Sequence, residues 1–252
     1  MNAPFNGIAW LSLLLLGLAI LQRRVHFEFQ AIFLLLTKRI DLSILLFSIV
    51  FLPGVLLHEI SHYLTAKLLR VPTGRFSVLP RPLPEGKLQL GYVETYKTDV
   101  FRDALIGFAP LVTGMTVIAL ISYFQFEIIP STDTIKIASM NIIMDTFFRV
   151  YSQSDFWLWF YFIFVISSTM YPSASDRRSW LSMFVLLFVI LLFFILLGAG
   201  PWMIDVLIPG FNEILLGLSI ILGISALIHV VFLIPSWLIR LIITRATGLR
   251  VA

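Results

Sequence analysis

Long apolar runs without a charged residue are the feature that most limits what this chain can fold into. Hydrophobic residues make up 59% of the chain and charged residues only 13%. A helix needs about 20 predominantly apolar residues to cross the hydrocarbon core of a bilayer. The sequence therefore predicts an all-α polytopic membrane protein with about six transmembrane helices. The six runs are 1–22, 42–57, 104–126, 156–175, 179–204 and 214–239.

The second run leads directly into the sequence His58-Glu59-Ile60-Ser61-His62. An α-helix turns about 100° per residue, so His58 and His62 stand one turn apart on one face and can hold a single zinc ion. Glu59 lies beside them, and a carboxylate next to a zinc-activated water is the apparatus of amide hydrolysis. The plain alternative is a chance spacing of two buried histidines. Placing a carboxylate and two imidazoles at the end of an apolar run is costly, which makes that alternative less favourable.

The motif alone does not complete a catalytic zinc site, which normally has three protein ligands and an open position. The chain has no cysteine, so His or a carboxylate must supply the third ligand. Asp176 is the predicted ligand, because the preceding helix returns it to the side of the motif and Pro172 breaks that helix. Two alternatives stay open. In the first, Asp176 is no ligand and instead caps the next helix or pairs with Arg177 or Arg178. In the second, His229 is the third ligand and completes a three-histidine site.

A change of character marks the segment 71–100, between the second and third helices. Proline and glycine punctuate it, and the sequences 75–78 and 87–92 alternate polar with apolar residues as half-buried strands do. We expect a small β-hairpin or sheet at the membrane surface. An open strand edge there can bind an extended peptide by adding a strand, which would present a peptide bond to the zinc. A plain connecting loop is the alternative.

Three further segments carry expectations about their relation to the membrane. Residues 23–41 are predicted to form a surface connection, since the six apolar residues 31–36 are too few to span a bilayer. Pro53 is expected to kink the second helix, because proline removes a backbone hydrogen bond. Apolar residues at helical spacing in 140–151 predict an amphipathic helix that lies in the interface.

The net charge of +4 and the isoelectric point near 9.5 raise the question of a nucleic-acid partner. In a membrane protein the cytoplasmic flanks of the helices explain such a charge, so we expect a lipid bilayer and no nucleic acid. If the six helices alternate in direction, twelve of the 18 basic residues fall on the side of the motif, including Arg240, Arg245 and Arg250. The sequence therefore predicts a multi-pass protein of a prokaryotic-type cell membrane with its zinc site towards the cytoplasm. Four basic residues between 23 and 39 do not fit this orientation.

These motifs, in this order, resemble the site-2 protease family of intramembrane zinc metallopeptidases. The family combines an HExxH in a membrane helix, a short strand-rich segment before a helix with Gly and Pro, and a later helix that ends in a Pro-containing motif with an aspartate. The resemblance covers residues 42–176, which correspond to the family's three-helix core. Residues 1–41 and 177–252 are then flanking helices with a basic tail.

The resemblance implies a role for each residue of the motif. His58, His62 and Asp176 would bind zinc, and Glu59 would act as general base and acid. The substrate would be a membrane protein, cleaved within or next to a transmembrane segment.

Two departures from the family's pattern bear on this expectation. The family's Asn-Pro element is Met170-Tyr171-Pro172-Ser173 here, and the Asn expected in the intermediate helix is Thr113. Thr113, Ser173 and Ser175 are therefore the candidates for binding substrate or the oxyanion. The missing Asn residues keep open a non-proteolytic zinc-binding membrane subunit or scaffold derived from the same fold. A metal or solute transporter is a further alternative, but no internal repeat supports it.

Overall fold

The computed structural model describes residues 6–82, 88–127 and 140–249, and these residues are mostly helical. Two π-helical stretches around a short turn at Gly200–Trp202 connect the last two helices. The helices of the described chain are α1 (Asn6–Thr37), α2 (Ile40–Leu68), α3 (Val100–Phe124), α4 (Met140–Tyr151), α5 (Phe156–Thr169), α6 (Trp180–Phe194) and α7 (Ile208–Thr247).

Four helical segments of the described chain are long and apolar enough to cross a membrane, which supports a membrane protein. They are α1, α2, α3 and the stretch from Trp180 to Thr247. With 14 residues, α5 is only about 21 Å long, which is less than the 30 Å of a bilayer core. Gly198 interrupts the long last stretch with a φ of 90°. The count of six membrane-spanning helices stays a prediction.

The first helix differs from the prediction for residues 23–41. Instead of a surface connection, α1 continues through this segment and the chain turns only at Lys38, whose φ is 54°. The buried polar residues of α1 have partners in neighbouring helices. Gln22 donates to a backbone carbonyl of α5, and Glu28 accepts hydrogen bonds from Arg240. Because these groups are satisfied, α1 has no need to leave the helix bundle here.

The core that positions the site is built from α2, α3 and α5. The helices α2 and α5 run in the same direction and pack closely, since a Cβ at Gly54 would collide with the Val165 carbonyl. The Tyr161 hydroxyl donates to the Val50 carbonyl at 2.7 Å, one turn before Gly54. Pro53 lies inside α2, which is helical on both sides of it. The fully buried side chains of this core include Phe47, Phe51, Ile118, Ile163 and Phe164.

The flanking helices α1 and α7 run side by side in the same direction. The Gly7 N–H donates to the Asn212 side chain at 2.8 Å, and Glu28 pairs with Arg240 further along both helices. Arg240 therefore lies near the beginning of α2, at the end of the bundle opposite His58. The predicted charge count had placed Arg240 on the side of the motif. That placement of Arg240 is wrong, because Glu28 holds it at the other end of the bundle.

The predicted β-structure between α2 and α3 is confirmed. β1 (Thr73–Ser77) pairs antiparallel with β4 (Tyr92–Thr95), and β2 (Arg81–Pro82) pairs antiparallel with β3 (Leu88–Gln89). The alternating sequence 87–92 falls mostly on these strands, although Lys87 lies outside the described residues.

The predicted helix 140–151 is also present, as α4. Its exposed side chains include Phe147 and Phe148, and Arg149 pairs with Glu127 at 2.6 Å. Its location in a membrane interface stays a prediction.

Candidate metal centre

His58 and His62 stand one turn apart in the last third of α2, as their spacing predicts. Their Nε2 atoms face each other at 3.2 Å. Both imidazoles line a cavity of about 1090 Å³ that opens between α1, α2, α5 and the β-strands. The two side chains are 13% and 9% exposed, so they are reachable from the cavity but shielded from bulk solvent.

The other ring nitrogen of each histidine is held by a backbone carbonyl. His58 Nδ1 lies 2.7 Å from the Thr169 carbonyl oxygen, and His62 Nδ1 lies 2.8 Å from the Ile106 carbonyl oxygen. Because a carbonyl only accepts, each Nδ1 carries the hydrogen and each Nε2 presents a lone pair. Metal-binding histidines are oriented in this way. Two lone pairs facing each other at 3.2 Å repel unless a cation or a proton lies between them.

Local sequence explains why these two carbonyls are available. Pro110 has no N–H, so the Ile106 carbonyl lacks the partner that residue i+4 normally provides in a helix. Thr169 is the last residue of α5, where carbonyls have no partner within the helix. The two histidines thus satisfy backbone acceptors that the helices α3 and α5 leave open.

Asp176 approaches the two imidazoles from the loop between α5 and α6. Its carboxylate oxygens lie 3.4 Å from His62 Nε2 and 3.7 Å from His58 Nε2. The Ser173 N–H donates to the same carboxylate at 2.7 Å. Burial alone would raise the pKa of Asp176, but hydrogen bonds with the two histidines and Ser173 hold that pKa well below its usual range.

The ligand atoms of His58, His62 and Asp176 all lie within 4.8 Å of one another. They are the one group of three or more potential metal ligands found in residues 6–82, 88–127 and 140–249. Two nitrogen donors and one carboxylate oxygen match the ligands that catalytic zinc sites use.

Two glycines allow the three parts of the site to come together. Gly54 lets α5 approach α2, and a Cβ there would also lie 2.5 Å from the Thr169 hydroxyl oxygen. On α3, a Cβ at Gly107 would collide with the backbone carbonyl of Asp176. Larger residues at these positions would push away the Thr169 carbonyl and the Asp176 loop.

Glu59 is buried and lines the same cavity. A Cβ at Gly91, just before β4, would lie 2.8 Å from Glu59 Cγ and 3.0 Å from Glu59 Oε1. The chain from Gln89 to Thr95 therefore runs directly over Glu59 and forms one wall of the cavity. The predicted strand segment therefore lies beside the candidate metal centre.

The structure brings together some of the remaining predicted residues and not others. Ser173 and Ser175 line the cavity, and their hydroxyl oxygens lie 2.7 Å apart. Thr113 lies about two turns further along α3 than Ile106 and is not among the residues that line the cavity. His229, the alternative third ligand, uses Nδ1 on the Ser225 carbonyl at 2.8 Å and Nε2 on a serine hydroxyl.

Three contributions to this site were not predicted from the sequence. The first contribution comes from the backbone carbonyls of Ile106 and Thr169, which have no sequence signature of their own. Pro110 indicates only that the Ile106 carbonyl has no hydrogen-bond partner within the helix. The contact of Gly91 with Glu59 depends on tertiary packing. The third is Asp103, which accepts hydrogen bonds from Arg178 and Ser179 in the loop that carries Asp176.

Comparison of this chain with protein-family models, with curated proteins and with solved structures finds no significant match.

Proposed function

We propose that this protein is an intramembrane zinc metalloprotease of the site-2 protease type, which cleaves peptide bonds in or near transmembrane segments of membrane proteins. The observation that carries the proposal is the convergence of His58 Nε2, His62 Nε2 and the Asp176 carboxylate beside Glu59. This convergence joins two distant parts of the chain, and the spacing of the HExxH motif alone does not require it.

Zinc is the metal that this donor set fits best. The chain has no cysteine, and two imidazoles with one carboxylate leave a coordination position open for water or substrate. Carbonyls at both Nδ1 atoms fix the ring orientations before any metal arrives. When bound, zinc would polarise a substrate carbonyl and lower the pKa of water.

Glu59 is the proposed proton carrier. It follows His58 in α2, is buried, and faces the cavity against Gly91. Its carboxylate would take a proton from the attacking water and deliver that proton to the amine that leaves. Proton transfer of this kind contributes about 10²- to 10⁴-fold to the rate of an enzyme.

The strand β4 offers a way to hold the peptide. Residues 89–95 line the cavity, and β1 occupies only one edge of β4. An extended peptide that pairs with the other edge would lie beside Glu59, and unwinding of a substrate helix would expose the peptide groups for that pairing. Ser173 and Ser175 remain candidates for contacting the peptide or the oxyanion, since both line the cavity.

The proposed setting is a multi-pass membrane protein. Six crossings have two requirements. The short helix α5 must cross the membrane together with the polar loop that follows it, and the stretch from Trp180 to Thr247 must form two membrane spans separated at Gly198. The cytoplasmic placement of the zinc site remains part of the proposal.

Cleavage in proteoliposomes tests this function. The full chain, loaded with zinc, is incubated with a membrane protein whose transmembrane helix contains helix-destabilising residues, and products are mapped by mass spectrometry. Glu59→Gln should reduce cleavage by about 10²- to 10⁴-fold while zinc stays bound. Glu127→Gln, a change at an exposed carboxylate far from the site, is the matched control and should cleave like wild type.

A zinc-loaded wild type that cleaves no better than Glu59→Gln, across substrates with different transmembrane sequences, would contradict proteolysis. That result would favour the non-proteolytic zinc-binding subunit.

A further inference from the structure

Asp176 is held on a loop, not on a helix or a strand. Residues 170–179 form turns and irregular structure between α5 and α6. Metal ligands on loops are placed less accurately than ligands on helices, unless other contacts fix the loop. Other residues must therefore hold Asp176 against the two histidines.

Asp103, near the start of α3, makes the strongest attachment to this loop. The Arg178 guanidinium donates to both carboxylate oxygens of Asp103, with the Nε contact at 2.8 Å, and the Ser179 hydroxyl donates to one of them. A bidentate pair of this kind is directional as well as strong. The Asp103 side chain is only 11% exposed, whereas the Arg178 side chain that it holds is 56% exposed.

The next turn of α3 extends the attachment. Gly107 receives the Asp176 backbone carbonyl, and the Phe108 ring stacks on Trp180 with ring centroids 3.8 Å apart. The Ile106 carbonyl of the same turn holds His62. The stretch 103–108 of α3 thus orients one histidine ligand and the carboxylate ligand together.

Arg178 also has an electrostatic relation to Asp176, two residues earlier. Both side chains line the cavity, and a guanidinium in this position would bind the Asp176 carboxylate in competition with a metal. In the structure the guanidinium contacts go to Asp103 instead, through Nε and Nη2. Asp103 therefore holds Arg178.

We propose that Asp103 is a positioning residue for the metal centre, which docks the Asp176 loop on α3 and keeps the Arg178 guanidinium away from the Asp176 carboxylate. This inference rests on the metal-binding part of the proposed function and not on proteolysis. It predicts that Arg178 becomes harmful to metal binding once Asp103 is neutralised.

The test is the zinc affinity of the purified full chain in detergent, measured by competition with a chromophoric chelator. Asp103→Asn should weaken zinc binding by about 10- to 100-fold, as outer-shell changes at metal sites do. Arg178→Gln should weaken it only about 2- to 5-fold, because it loosens the loop without freeing a competing cation. The double variant Asp103→Asn/Arg178→Gln should bind zinc as well as Arg178→Gln alone and more tightly than Asp103→Asn.

Asp99→Asn is the matched control. Asp99 lies four residues earlier, is paired with Arg102, and accepts from the Arg102 N–H, but has no contact with the loop in the described structure. It should leave zinc affinity within about twofold of wild type. An Asp99→Asn loss as large as that of Asp103→Asn would reduce the effect to general weakening of α3 and overturn the proposal.

Two further results would overturn it: an Asp103→Asn affinity within twofold of wild type, or a double variant that binds no better than Asp103→Asn. If Asp103→Asn does not fold, Ser179→Ala is the substitute test, because it removes one of the three donors to the Asp103 carboxylate. It should weaken zinc binding by about 2- to 5-fold, and an unchanged zinc affinity would contradict the proposal. A wild type that binds no zinc would instead refute the proposed function itself.

Discussion

The four histidines of this chain lie in two environments, and the comparison shows what distinguishes the two imidazoles of the candidate metal centre. His58 and His62 keep Nδ1 on backbone carbonyls and turn both Nε2 atoms towards Asp176. His229 has hydrogen-bond partners at both ring nitrogens, at 2.8 and 2.9 Å. His26 lies edge-on against Phe47 and Phe51, with ring centroids 5.3 and 4.9 Å away.

Burial and spacing along a helix do not separate the two environments. His229 is fully buried in an apolar run, and sequence alone leaves it open as a third ligand. An unpaired ring nitrogen does not separate them either, because His26 Nε2 has no hydrogen-bond partner in the described structure. The difference lies in convergence with a carboxylate. Only His58 and His62 have Nε2 atoms that converge with a carboxylate, whereas the hydrogen bond with Ser168 takes up Nε2 of His229.

Removing one histidine from each environment should have the largest effect. His58→Ala should abolish measurable zinc binding, because it removes a ligand, an effect larger than the about 10- to 100-fold of outer-shell changes. His229→Ala should keep one zinc per chain and instead lower the free energy of unfolding by about 1–3 kcal/mol, since buried Ser168 loses its partner. Metal analysis and denaturant unfolding measure the two effects. Zinc loss in His229→Ala would contradict the distinction.

The carboxylate is the second element to remove. Asp176→Asn keeps the size of the side chain but loses its charge, so zinc affinity should fall by more than the about 100-fold that is the upper end of outer-shell changes. Asp145→Asn, at an exposed position on α4, is the control and should bind zinc like wild type. Equal zinc affinity in the two variants would show that Asp176 is not a ligand.

The close approach of α2 and α5 can be tested with two glycines. Gly54→Ala should cost about 1–3 kcal/mol of stability and weaken zinc binding, because a Cβ there pushes the Thr169 carbonyl away from His58. Gly17→Ala is the matched change in α1, where a Cβ meets nothing within 4 Å, and it should be neutral or stabilising by up to about 1 kcal/mol. Thermal unfolding and zinc titration of both variants decide the point, and equal behaviour would refute the packing argument.

The smallest expected effect concerns the Ile106 carbonyl. Pro110→Ala supplies an N–H that competes with His62 Nδ1 for this carbonyl, so zinc affinity should fall by about 2- to 10-fold even if α3 becomes more stable. Pro235→Ala makes the same change inside α7, away from the site, and should leave zinc affinity unaltered. A zinc affinity of Pro110→Ala equal to that of wild type would show that the missing N–H does not matter for His62.

Sequence predicted the elements of the site whose positions follow from local spacing. A helical turn brings His58 and His62 together, and a proline after an apolar helix indicates where Asp176 leaves it. The β-structure between α2 and α3 was also predictable, from alternation and turn residues. Each of these depends on short-range geometry that residue types alone specify.

The parts that sequence did not predict depend on packing between distant segments. The six apolar residues 31–36 suggested that 23–41 is a surface connection, but α1 continues through this segment, and Gln22 and Glu28 find partners on α5 and α7. The direction of α7 followed from assuming that each apolar run crosses once, and the Glu28–Arg240 pair corrects it. Backbone acceptors such as the Thr169 carbonyl have no residue type that reveals them.

The decisive measurement is the zinc content of the purified wild-type chain beside that of the double variant His58→Ala/His62→Ala. We expect one zinc ion per wild-type chain and none in the double variant. A wild type that stays free of zinc under conditions that load other zinc enzymes, or a double variant that retains its zinc, would contradict this expectation.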